Sequence, residues 1–157
     1  MTAHFAISRR HALAGGAALT LVGCSGRSAA ASGPRTDLYT CEGCEAAMER
    51  DPAALTSHAD IAGPQERGER LVVRGTVYLP DGTTPAPGVV IYAHQTDADG
   101  YYRGGQANAP GSARHGAIKG WLKTDTQGRY RFDTIKPSPY PSRTLPAHIH
   151  LYLAEPG

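Results

Sequence analysis

Val89-Val90-Ile91-Tyr92-Ala93-His94 is followed, two residues later, by Asp97-Ala98-Asp99-Gly100-Tyr101-Tyr102. An apolar β-branched run that ends in an Asp/Gly turn is the signature of a buried strand and its turn. Upstream, Pro87-Gly88 introduces that strand, and Val72-Val73-Arg74-Gly75-Thr76-Val77-Tyr78 alternates into a turn at Pro80-Asp81-Gly82. Downstream, residues 103–116 are rich in Gly, Ala, Pro and Ser and predict a long loop. Gly120-Trp121-Leu122-Lys123-Thr124 and Arg129-Tyr130-Arg131-Phe132 flank an Asp-x-x-Gly turn, which predicts a hairpin. A last strand is expected from about His148 to Leu153. Short strands at regular spacing imply an all-β chain, an antiparallel β-sandwich with a short helical N-terminal segment.

That segment is expected within 41–70, where Glu45-Ala46-Ala47-Met48-Glu49-Arg50 favours helix, Asp51-Pro52 interrupts it, and a polar loop through Gly68 follows. Residues 24–40 read as a flexible tether. Residues 1–23 read as a twin-arginine-type lipoprotein signal, with Ser8-Arg9-Arg10, an apolar stretch, and Leu21-Val22-Gly23-Cys24 as a lipobox. Lipidation at Cys24 would give an exported, periplasmic or cell-envelope protein held to the membrane by an N-terminal lipid anchor. The apolar stretch is too short and glycine-rich for a stable membrane span. Loss of Arg9 and Arg10 with the signal lowers 16 Lys and Arg to 14, matching the 14 Asp and Glu. A neutral mature chain offers no basis for nucleic-acid binding.

Cys41-Glu42-Gly43-Cys44 is a disulfide candidate in an oxidising compartment. A redox pair and a zinc site are the alternatives. No βαβ pattern surrounds the pair, no further ligands lie nearby, and no histidine follows Cys44 to suggest haem attachment.

The chemistry concentrates in Pro146-Ala147-His148-Ile149-His150 and in the proline-bounded Pro137-Ser138-Pro139-Tyr140-Pro141 before it. Strand alternation projects His148 and His150 together, while Ile149, Leu151 and Leu153 face the other way. Two imidazoles beside Tyr140, joined by a tyrosine from the Tyr101-Tyr102 turn, make a set of two phenolates and two imidazoles. Anionic, hard oxygen donors in that set favour a Lewis-acidic ion such as ferric iron.

Together these segments resemble the intradiol ring-cleavage dioxygenases, the group that includes protocatechuate 3,4-dioxygenase and catechol 1,2-dioxygenase. The resemblance runs from about Leu71 to Leu153. It is carried in order by Gly75-Thr76-Val77, the Asp97–Tyr102 turn, Thr124–Phe132 running into Thr134-Ile135-Lys136-Pro137, and the His-x-His strand. It implies a β-sandwich over 71–157, either a minimal version or C-terminally truncated, and assembly into a homo-oligomer, although no heptad or apolar face in the sequence specifies one. It also implies Fe(III) held by Tyr102, Tyr140, His148 and His150, with Tyr140 as the catalytic tyrosinate that takes up a proton. The implied reaction inserts O2 between the two hydroxyl-bearing carbons of a catechol-like aromatic substrate. Where the resemblance implies an arginine directly before Pro146, the chain has Leu145, and Arg143 is the nearby substitute. Ser142 stands where an aromatic residue is often found. A non-catalytic transthyretin-like or carboxypeptidase-regulatory-like module shares the strand and turn patterns, but gives no reason for both histidines beside Tyr140. A zinc or copper site using the two histidines is a third reading.

Overall fold

The computed structural model describes residues 43–155. The signal, Cys24, the tether and Cys41 lie outside the described residues. The described residues form six strands: β1 (His58–Asp60), β2 (Arg70–Thr76), β3 (Val90–Gln95), β4 (Lys119–Lys123), β5 (Arg129–Ile135) and β6 (Ile149–Ala154). They make two three-stranded sheets, β1-β5-β2 and β4-β3-β6. Every pair is antiparallel except β1 and β5. Ile91, Ala93 and Leu122 of one sheet pack against Phe132 and Ile135 of the other, with Ile61 and Ile118 completing the buried core. This is the expected all-β sandwich.

Strand β3 is buried along its whole length, which its unbroken apolar run foretells. Its odd-numbered residues face the core. Tyr92 faces the opposite side, under Ala46 and Ala47 of a 3₁₀ turn (Cys44–Met48). A second 3₁₀ turn, Pro52–Ala54, begins at Asp51, whose side chain accepts from the Ala53 amide at 2.8 Å. Trp121 ties this N-terminal segment to the sheet by donating its indole N–H to the Ala46 carbonyl at 2.7 Å. Cys44 is disulfide-bonded, to a partner outside the described residues.

Two expectations need correction. The segment between the helical turns and β2 is not all loop, since β1 adds a parallel edge to β5, with His58 opposite Arg131 and Asp60 opposite Asp133. A three-residue polar strand carries too little alternation to be read from sequence. The expected hairpin is also absent. The Asp125–Gly128 turn closes as a hairpin turn would, through Gly128 N–H to Asp125 O and Asp125 N–H to Arg129 O, each 3.0 Å. Its strands nevertheless enter different sheets. The Thr124 hydroxyl donates to the Ala86 carbonyl (2.8 Å) and accepts from the Val89 amide (2.9 Å), which fixes the end of β4 to the start of β3. Meanwhile Phe132 and Ile135, both fully buried, hold β5 to the other layer.

The loop carrying Tyr140 is fastened to the turn after β3. The Thr96 hydroxyl donates to Ser138 O (2.7 Å), the Ser138 hydroxyl to Ala98 O (2.6 Å), and the Ser138 amide to Asp97 O (3.2 Å). Gly100 lies under this loop with φ +88°, and a Cβ there would come 2.1 Å from the Pro139 carbonyl oxygen. Gly82 has a comparable φ of +73° but open space around it. Gly82→Ala is therefore expected to cost about 1 kcal/mol, the backbone penalty alone. Gly100→Ala should cost about 3 kcal/mol or more, since the Pro139 loop must also move. Urea unfolding of the two variants checks the difference.

Candidate metal centre

Asp97 builds the first half of the centre. One of its carboxylate oxygens accepts from the Asp99 amide (2.9 Å) and the Tyr101 amide (3.0 Å), and the other takes the Arg103 guanidinium at 2.6 Å. With the Asp97 amide donating to Tyr101 O (2.9 Å), the turn is closed from inside. Alternation then separates the two tyrosines. Tyr101 is 51% exposed, while Tyr102 is half-buried and points to Tyr140.

The second half comes from the proline-bounded loop and β6. Register pairs His94 with His150 and Tyr92 with Tyr152 across β3 and β6, on the face away from the core. The Tyr102 and Tyr140 hydroxyls are 3.0 Å apart. Tyr140 Oη is 3.2 Å from His148 Nε2 and 3.4 Å from His150 Nε2, and the two Nε2 atoms are 3.1 Å apart. His148 Nδ1 lies 2.7 Å from the Pro146 carbonyl, which can only accept. Nδ1 therefore carries the hydrogen, and in the neutral ring the Nε2 lone pair faces the cluster. The structure thus brings Tyr102, Tyr140, His148 and His150 to one point. Arg143 lies near them, with its guanidinium carbon 5.8 Å from the centre of the Tyr140 ring. Leu145 is 49% exposed. A surface hollow of about 440 Å³ opens beside Tyr101, Tyr102, Arg103, Gly104 and Gly105.

The electrostatics favour the neutral form of Tyr102. Burial, and then the neighbouring Tyr140 hydroxyl, raise the Tyr102 pKa above the usual tyrosine value, so Tyr102 is a phenol. Behind it lie two histidines that carry no role in the sequence reading. His94 is buried, 3% exposed, and its pKa is pushed down to about 2, first by burial and then by His115 and His150. Its ring is neutral. His115 comes from a 3₁₀ turn, Gly111–His115, inside the long loop, and burial and then Arg114 lower its pKa too. His94 reads in the sequence as a strand residue, and its position opposite His150 depends on a register that only the sheet fixes. His115 sits in a loop whose composition gives no path.

Comparison with known proteins agrees with this frame. A family model described as Dioxygenase matches residues 42–157. The protocatechuate 3,4-dioxygenase beta chain of Burkholderia cepacia is 38% identical over 107 residues, covering 63% of this chain and 44% of its own length. Among solved structures, the 3-chlorocatechol 1,2-dioxygenase of Rhodococcus opacus matches with a TM-score of 0.51 and 26% identity, over 66% of this chain and 46% of that one. The intradiol ring-cleavage dioxygenase of Tetranychus urticae gives 0.50 and 26%, over 68% and 52%. The chain belongs to the intradiol dioxygenase family. It spans less than half the length of the Burkholderia relative.

Asp97→Ala removes the acceptor of two amides and a guanidinium at a site that is 5% exposed. It is expected to lower the unfolding free energy by about 2–4 kcal/mol, with Asp97→Asn recovering part of the loss through its remaining oxygen. Chemical denaturation of both variants measures this.

Proposed function

We propose that this chain is a ferric, non-haem dioxygenase that cleaves a catechol-like ring between its two hydroxyl-bearing carbons. The observation that carries the reading is the convergence of four donor atoms, from Tyr102, Tyr140, His148 and His150, at spacings of 3.0 to 3.4 Å. Donor atoms about 2.1 Å from one ion and at right angles to one another stand about 3 Å apart, so the cluster fits a single small ion. Two phenol oxygens and two imidazole nitrogens suit ferric iron better than a softer metal. Bound there, ferric iron would supply Lewis acidity, which lowers phenol pKa values and draws electron density from a dihydroxylated ring.

The protein's own groups then have definable tasks. Pro146 O holds the His148 tautomer that presents Nε2 to the cluster. The Asp97 turn and the Ser138 stitching keep Tyr102 and Tyr140 at hydrogen-bond distance. Tyr140 has the richest set of polar neighbours, and its oxygen, once it has lost its own proton to become a phenolate, is the group we assign to accept a substrate hydroxyl proton. Arg143, beside the Tyr140 ring, is a cation that would offset negative charge on a bound diolate. Both atoms of O2 enter the product, one carbon–carbon bond of the ring breaks, and an open-chain diacid results. Export and lipid anchoring through residues 1–23 and Cys24 would place this activity at the cell envelope.

Purified protein loaded with iron is expected to bind it stoichiometrically and to show a broad visible band from phenolate-to-iron charge transfer. Tyr102→Phe should weaken that band and loosen the iron, whereas Tyr101→Phe should change it little. A folded, colourless protein that takes up no iron would sink the reading in favour of a non-catalytic module. An unchanged spectrum in Tyr102→Phe would remove Tyr102 from the ligand set.

A further inference from the structure

Both ring nitrogens of His94 are buried and lack a hydrogen-bond partner. Leaving such atoms unmet costs about 1–3 kcal/mol each, and native proteins rarely keep them without a reason. A buried histidine of purely structural use would find an acceptor, and an apolar side chain of similar volume would avoid the cost. What the imidazole supplies instead is a flat face. The His94 ring lies parallel to His115, with centroids 3.8 Å apart and planes 4° apart. Its other face lies parallel to His150, at 4.5 Å and 6°.

The outer ring of this column is anchored. Arg114 donates its Nε–H to His115 Nε2 at 3.2 Å, which leaves the His115 Nδ1–H to donate to Tyr92 Oη at 2.7 Å. Gly43 closes over the same ring, where a Cβ would come 2.7 Å from His115 Cε1. The middle ring is set by its place in β3, directly opposite His150. The inner ring reaches the four-donor cluster.

We propose that His94 is a positioning residue: clamped against the anchored His115 ring, it sets the plane of the His150 imidazole and so aims His150 Nε2 at Tyr140 and His148. The inference rests on the reading of His150 as a metal ligand. Imidazole donates through a lone pair in its ring plane, so a ring free to tilt presents that lone pair off the metal direction. A planar neighbour on one face restricts tilt in a way that a branched aliphatic chain does not.

Two variants separate planarity from volume. His94→Leu fills the site without a flat face and removes the two orphaned nitrogens. The metal-free variant should therefore melt no lower than the parent, while iron affinity, measured by chelator competition, falls about 10- to 100-fold. His94→Phe restores a flat face and should recover most of that affinity. In metal-free protein the His150 ring resonances, shifted by the stacked ring, should move in His94→Leu and move far less in His94→Phe. Folded His94→Leu that keeps both the parent's iron affinity and its His150 resonances overturns the proposal. If neither His94 variant folds, Tyr92→Phe, which removes one of the two hydrogen bonds that anchor His115, carries the same test with a smaller expected drop in iron affinity, and unchanged affinity and resonances overturn it. Should the parent itself bind no iron, the dioxygenase reading fails. The resonance comparison then still decides whether His94 sets the His150 ring.

Discussion

The junction between the turn after β3 and the proline-bounded loop is the constraint on which the centre depends. Ser138 is held by three hydrogen bonds to Thr96, Asp97 and Ala98, and Gly100 leaves room for the Pro139 carbonyl to rest on the turn. Tyr102 and Tyr140 are 38 residues apart in sequence, yet this junction sets their hydroxyls at 3.0 Å. Prolines at 137, 139 and 141 restrict the loop before it docks, which lowers the entropy lost on ordering it. Neither tyrosine is placed by its own strand. Each is placed by a backbone that the other segment helps to fix.

The sheet supplies the other half by register. An antiparallel pairing of β3 with β6 that puts Ala93 opposite Leu151 also puts His94 opposite His150, and a slip of one residue would turn the whole set to the core. The apolar side of β6 is therefore part of how the histidines are aimed. Ile149 joins the core cluster, and through it the buried contacts of the sandwich hold the orientation of polar residues on the far face. Trp121, stacked on Tyr92 at 4.7 Å, and the Cys44–Met48 turn above it cover Tyr92, which is fully buried. The N-terminal segment is thus a cover for the aromatic column rather than an appendage.

Much of this was legible in the residues. β2 to β6 appear near their expected positions because each carries either an apolar run or clear alternation. The two tyrosines and the His-x-His pair could be named because ligand chemistry restricts the residue types. What could not be read were relations between segments. Thr124 sends β4 and β5 to different sheets through bonds to Ala86 and Val89, contacts that no local pattern announces. β1 is too short and polar to reveal a period. His94 looks like an ordinary residue of a buried strand, and His115 like part of a loop. Their common axis exists only once β3, β6 and residues 111–115 are brought together.

The distribution of satisfied and unsatisfied polar atoms separates the parts of the centre. Tyr102, Tyr140 and His148 are linked by hydrogen bonds to one another, and His148 also to the Pro146 carbonyl. Burial favours the neutral phenol at Tyr102, and the protons of such a cluster are what a cation would displace. Donors grouped in this way by the fold would need little rearrangement to take up a cation. His94 follows the opposite logic. Its nitrogens gain nothing from their surroundings, and the fold tolerates that cost one ring away from the donors. A cost retained at that distance is best understood through the shape of the ring and the direction it gives to His150.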